Sequence, residues 1–311
     1  MQQSPSAPKA TTVWSSLAIL WVAWGTTYLA IYYMVAEMPV LFAISLRYLT
    51  AAVVLGAYLM IRRGPKALWR PSPELRRAAF EGILFVGGGN AGVCLAERYV
   101  PSGAVAMIVS MLSVWVALLR ARFASRPSPI TLAGVAVGLG GVAAIVLSGS
   151  KAPQLHISAG GQILWSLVVV AGSFAWACGS FFGPRFCQTR DVMAGAFWQM
   201  ASGGSLMLLL GLLTGERFSD FAGASAKAWW SVAFLVVVGS VIAQTAYTWL
   251  ISSGTSLSLI ATYAYVNPVI AVAFGVLLLD EQVTPMAIIG GALVLGAISL
   301  VTRGERTAKR A

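Results

Sequence analysis

Residues 13–35 read VWSSLAILWVAWGTTYLAIYYMV, twenty-three positions without an Asp, Glu, Lys or Arg. As a helix rising about 1.5 Å per residue, the run reaches about 34 Å, enough to cross a hydrocarbon core of about 30 Å. Nine further apolar runs follow: Val40–Ile61, Ala78–Ala96, Gly103–Leu119, Pro129–Leu147, Ile163–Gly183, Met193–Leu213, Trp229–Ile251, Leu259–Leu279 and Pro285–Val301. Only Glu97–Ser102 divides the third from the fourth, and only the uncharged Ser252–Ser258 divides the eighth from the ninth. The runs are continuous and do not alternate with period two, which argues against a β-barrel. The first run is longer than the apolar core of a cleavable signal peptide, so it reads as a span. The pattern predicts an all-α integral membrane protein of ten transmembrane helices.

Composition agrees. Of 311 residues, 58% are hydrophobic and 10% charged, with a mean hydropathy of +0.81. Soluble domains are about 25% charged. With so few charges a soluble fold could not cover its surface, which excludes a soluble enzyme, a nucleic-acid binder and a disordered chain. The net charge of +11 becomes informative by position. On one side of the ten spans lie Lys9, Arg62, Arg63, Lys66, Arg70, Arg76, Arg77, Arg120, Arg122, Arg126, Arg185, Arg190, Arg303, Arg306, Lys309 and Arg310. The other side holds Arg98, Lys151, Arg217 and Lys227. The positive-inside rule then places both termini in the cytoplasm, and the basic loops favour anionic lipid headgroups as partners. Cys94, Cys178 and Cys187 lack metal or disulfide spacing, and the lone histidine, His156, reads as a loop residue.

The halves resemble each other. Ala23-Trp24 recurs as Ala175-Trp176, 152 positions on; at that offset Arg47 meets Gln199 and Gly87 meets Gly239. Ser113 meets Pro268 at offset 155, and Pro129 and Gly134 meet Pro285 and Gly290 at offset 156. Five spans per half is odd, so the copies insert with opposite orientation. The expected organisation is a cytoplasmic tail 1–12, a five-helix repeat 13–147, a periplasmic linker 148–162, an inverted five-helix repeat 163–301 and a cytoplasmic tail 302–311. Inverted repeats are a mark of secondary transporters, with the substrate near the midplane between the copies.

With these features the chain resembles the drug/metabolite transporter superfamily, in particular the EamA-type ten-span carriers. The resembling residues are Trp24-Gly25, Pro39 followed by Arg47, Asn267-Pro268, the run Asp280-Glu281-Gln282-Val283-Thr284-Pro285, and Gly290. The resemblance spans about Val13 to Val301, and the aromatic-rich helices are most similar to YddG-type exporters of aromatic amino acids. One departure is that Ser113 and Ser125 stand where the first half often has a proline and an acidic residue. The resemblance implies export of amino acids, aromatic or large neutral, by alternating access. A broader drug or metabolite efflux carrier is the alternative.

Arg47 is the sole basic residue inside a span. An arginine at that depth costs several kcal/mol unless it faces a cavity or a partner. It either attracts a substrate carboxylate by a bidentate contact or pins helix carbonyls or Glu97. Trp24 and Tyr28, with Trp176, Tyr247, Tyr263 and Tyr265, set rings deep in mirrored spans, where they pack helices or line a cavity for an aromatic solute or organic cation. Asn90, Ser110, Gln244, Thr248 and Asn267 carry polar groups that lipid cannot satisfy. Pro268 leaves the Ala264 carbonyl without its helical partner, which predicts a hinge, and Gly87-Gly88-Gly89 would loosen the third span. Gly134 and Gly138 form a GxxxG face for dimerisation or, preferably, packing within a monomer.

No P-loop, metal cluster or cofactor motif is present in the sequence, and no Ser-His pair that an intramembrane enzyme would need. No ring of identical filter residues suggests a channel. No Asp, Glu or His lies at mid-membrane; Glu81 reads as interfacial and Glu97 as near the outer surface. The expectation is facilitated export or exchange of a small molecule, with no cofactor, no nucleic acid and no buried proton carrier.

Overall fold

A computed structural model describes residues 10–124, 128–148, 157–187, 190–260 and 262–308, with backbone alone for 257–258, 265, 302 and 305–308. Ser125, Arg126, Lys151, His156 and the Tyr265 side chain therefore lie outside what is described. Among the described residues the fold is wholly helical. Eight helices are long and apolar enough to cross a membrane: α1 (Ala10–Glu37), α2 (Val40–Arg63), α3 (Ser72–Ala96), α4 (Ser102–Phe123), α5 (Pro129–Val146), α6 (Ala159–Phe186), α7 (Val192–Thr214) and α8 (Ala226–Ser252). Two more, α9 (Tyr263–Leu279) and α10 (Pro285–Ala308), carry shorter apolar stretches, Val266–Leu279 and Pro285–Val301. The predicted ninth span is shorter than expected because helix stops after Leu257–Ile260 and resumes at Tyr263.

Local chemistry sets the boundaries. Pro39 precedes α2, and the Glu216 carboxylate accepts from the Leu41 and Phe42 amides at 3.0 and 2.7 Å. Asp191 caps α7 through the Met193 and Ala194 amides, and pairs with Arg63 and Arg70. Both arrangements put negative charge at a helix N-terminus, where exposed N–H groups favour it.

Two helices depart from α geometry at matched places. The centre of α3, Ile83–Asn90, and that of α8, Leu235–Ile242, are π-helical. The two segments are 152 residues apart at either end, the offset already seen between the halves. In packing, α2 lies along α7, α4 along α9 and α5 along α10. Likewise α1 packs on α8 and α9, while α6 packs on α3 and α4.

The GxxxG face is used inside the chain. A Cβ on Gly134 would meet Val301 at 2.9 Å, and one on Gly141 would meet the Gly290 carbonyl at 2.8 Å. Small residues let these backbones approach, which is how apolar helices bind where lipid offers no hydrophobic drive. Gly141→Leu should destabilise the α5–α10 contact by about 1–3 kcal/mol, the usual cost of overpacking. Thermal unfolding in detergent checks it against Gly140→Leu, whose added Cβ meets nothing within 4 Å.

Candidate functional site

Arg47 is 1% exposed and reaches between the two π segments. Its Nε donates to Ser240 Oγ in α8 at 2.9 Å, and Nη1 donates to Asn90 Oδ1 in α3 at 3.4 Å. The guanidinium lies 4.7 Å from the Tyr48 ring centroid. Gly239 makes room: a Cβ there would stand 2.9 Å from Arg47 Nη2. Arg47 has no ion pair among the described residues, so its buried charge is met by neutral dipoles and a π face. The pairing with Glu97 allowed by the sequence is not formed; neither Glu97 oxygen has a hydrogen-bond partner.

Beside Arg47 the rings gather. The Trp24 centroid lies 5.4 Å from Trp176, 5.1 Å from Tyr247 and 5.0 Å from Tyr263. Phe85 stacks on Trp176 at 4.7 Å. Trp24 Nε1 donates to the Gly239 carbonyl, and Trp176 Nε1 donates to the Tyr247 hydroxyl, which also meets Ser180 Oγ at 2.7 Å. With their polar tips satisfied, the rings present apolar faces and edges at fixed angles.

Arg47 and these rings border a small cavity of about 70 Å³, well below the roughly 300–1,000 Å³ of small-molecule sites, so the rings must part before a large solute can seat. Of the residues expected to bind substrate, Trp24, Tyr28, Arg47, Asn90, Trp176, Tyr263 and Asn267 line it. The sequence reading missed Thr27, Ile31, Tyr48, Gly89, Val93, Val109, Leu112 and Ser173. Helical spacing from the marked residues reaches several of these: Ile31 is seven past Trp24, Val93 three past Asn90, and Ser173 three before Trp176.

Three expected residues lie elsewhere. Ser110 Oγ bonds the carbonyls of Ala106 and Ala264, at 3.0 and 2.8 Å. Ala264 is the carbonyl that Pro268 leaves unpaired, so Ser110 ties the kink of α9 to α4 rather than facing the cavity. Gln244 donates to Gln199 Oε1 at 3.2 Å, and Thr248 donates to the same atom at 3.0 Å. Gln199 in turn donates to Glu81 Oε2, and Glu81 Oε1 accepts from Arg77 Nε at 2.9 Å. This network is buried, with Arg77 and Glu81 each 1% exposed. The helix brings the pair together at i,i+4, and α7 closes over it. Tyr247 touches the ring cluster without lining the cavity. Asn267 bridges α9 to α1, its amide nitrogen facing the carbonyls of Tyr263 and Trp21 at 3.2 Å. Gly87 lies inside the π segment of α3, and a Cβ there would meet Leu206 at 2.8 Å.

No group of three or more His, Cys, Asp or Glu able to hold a metal occurs among the described residues. Among the described residues, the cavity lining carries no Asp, Glu, His or Cys.

A solved crystal structure that is 18% identical superposes with a TM-score of 0.65, covering 96% of this chain and 99% of that one, which shows the fold alone. The chain is 31% identical over 294 residues to the inner membrane transporter YedA of Escherichia coli (strain K12), covering 94% of this chain and 91% of YedA. It is 26% identical to a "probable terminal-alkyne amino-acid exporter" of Streptantibioticus cattleyicolor, with 82% of each covered. The model of the EamA-like transporter family matches twice, over residues 12–147 and 163–303. The chain, with its buried arginine and ring-lined cavity among membrane-length helices, belongs to the EamA-like transporter family.

Proposed function

We propose that this chain exports amino acids, aromatic or large neutral, across the bacterial inner membrane as a monomeric facilitated carrier. Substrate is taken up between two inverted five-helix repeats, residues 13–147 and 163–301, joined by an outer linker 148–162. The tails 1–12 and 302–311 face the cytoplasm. The observation that carries the reading is Arg47, a buried guanidinium without an acidic partner among the described residues, at the wall of an aromatic cavity. A carboxylate complements the charge, and a ring or large apolar side chain complements Trp24, Trp176 and Tyr263. The amino-acid exporter among the relatives agrees with it.

The repeat reading has its own support. Exchanging α1–α5 for α6–α10 returns the most extensive helix pairs: α2–α7, α4–α9 and α5–α10 map onto themselves, and α1–α9 maps onto α6–α4. The π segments follow the same exchange. Pro268 inside α9, where Ser110 meets the Ala264 carbonyl, gives one half a place to bend.

A drug or metabolite efflux carrier is the second reading, favoured by the largely apolar lining. Efflux of radiolabelled tryptophan from proteoliposomes, challenged with threonine and with a lipophilic cation, separates the two. Tryptophan efflux should saturate, be stimulated by tryptophan on the far side, and weaken in Trp24→Ala, Trp176→Ala and Asn267→Ala. Inhibition by the cation alone would favour the second reading. Unchanged affinity and rate in all three variants would remove the cavity from the transport path.

A further inference from the structure

Glu97 follows directly on the last residue of α3, at the opposite end of that helix from Arg77 and Glu81. It is 1% exposed, and neither carboxyl oxygen has a hydrogen-bond partner. An ionised carboxylate in that condition would be costly, because nothing replaces its lost hydration.

Every charged group nearby is engaged elsewhere or has the wrong sign. Arg98 spends its guanidinium on the carbonyls of Val35 and Met38, at 2.8 and 3.1 Å. Arg47 faces Ser240 and Asn90. Glu281, between α9 and α10, is 4% exposed and accepts from the Ser102 and Gly103 amides at the start of α4, at 2.8 and 3.3 Å. Tyr28 of α1 and Cys94 of α3 also lie within electrostatic reach of Glu97. Burial, then the neighbouring Glu281 carboxylate, pushes the Glu97 carboxyl well above the usual carboxylate range.

We propose that Glu97 is a proton-binding site at the outer end of the bundle. Its carboxyl holds a proton while α1, α3 and α4 are packed around it, and passes that proton to external water when those ends part. This rests on the reading of the chain as a carrier whose outer end opens, and it replaces the expectation of no buried proton carrier. The helix N-terminus of α4 is already matched by Glu281, so the corner has no use for a second negative charge until water enters. The closed outer end is fully favoured at low external pH. Its advantage fades as pH rises from the ordinary carboxylate range through the raised value, by at most roughly tenfold per pH unit for one proton.

Two measurements on the full-length protein test this. In the infrared spectrum of proteoliposomes, the wild type should show a protonated-carboxyl band at neutral pH that titrates away on raising external pH; Glu97→Gln should lack it. Tryptophan efflux should rise with external pH in the wild type, by up to roughly tenfold per unit, whereas Glu97→Gln stays flat at the low-pH rate. Glu97→Asp should keep a titrating band and a pH-dependent rate, which separates titration from any folding defect of the glutamine variant. An identical band in Glu97→Gln, or the same pH profile in both proteins, overturns the proposal. If tryptophan is not carried at all, the export reading fails and the infrared titration alone decides for or against Glu97.

Discussion

Arg47→Gln should lower kcat/KM for tryptophan efflux by roughly 10- to 150-fold, the loss of about 1.5–3 kcal/mol that a hydrogen bond to a charged group contributes. The effect should depend on the carboxylate. Tryptamine, which keeps the indole and the amine, should be handled alike by wild type and variant, so preference for tryptophan over tryptamine disappears. Arg47→Lys keeps a charge but loses the planar fork and the contact over Tyr48, and should recover only part of the rate. The structural alternative predicts otherwise. If the guanidinium only ties α2 to Ser240 and Asn90, Arg47→Gln lowers the unfolding temperature and slows both solutes equally. Equal slowing would sink the carboxylate assignment.

The second large effect lies at the other end of α3. Arg77→Ala would leave Glu81 buried with one neutral partner, Gln199, and Glu81→Ala would strand Arg77. Removing one partner of a buried ion pair costs about 3–5 kcal/mol, because the other charge stays desolvated. Either variant should unfold at markedly lower temperature in detergent. Arg77→Met combined with Glu81→Leu should regain most of the loss, since the charge and its partner leave together. A double variant as unstable as the singles would mean that Arg77 acts mainly through its bond to the Cys187 carbonyl.

These sites differ in how far the sequence discloses them. A charge inside an apolar run is visible without coordinates, and so Arg47 stood out at once. Trp24 and Trp176 were visible because each repeats the other at a fixed offset. Asn90 was marked as a polar group in lipid, and it meets Arg47. The π geometry was hidden, since an i→i+5 ladder leaves composition and apolar pattern almost unchanged. Only the pairing of Gly87 with Gly239 hinted that these places matter. Ser110 was marked because it stands at the mirrored position to Tyr265, a pairing that says nothing about the Ala264 carbonyl, 154 residues away. Glu81 and Glu97 were placed near the two membrane surfaces because each stands near the end of its run, a reading of depth that says nothing of exposure. Their burial follows from the approach of other helices, which no local pattern records.

The lining of the cavity has a last implication. Its residues come from α1, α2, α3, α4, α6 and α9, with none from α5 or α10. Those two helices spend their glycine faces on each other and turn Leu132, Leu139, Ile288, Ile289 and Leu293 outward. The six lining helices also turn large apolar side chains outward, Val22, Val53, Ile83, Phe123, Leu164 and Leu277 among them, so one substitution there can disturb both the cavity wall and the outer surface. The outward faces of α5 and α10, by contrast, can vary without touching the wall.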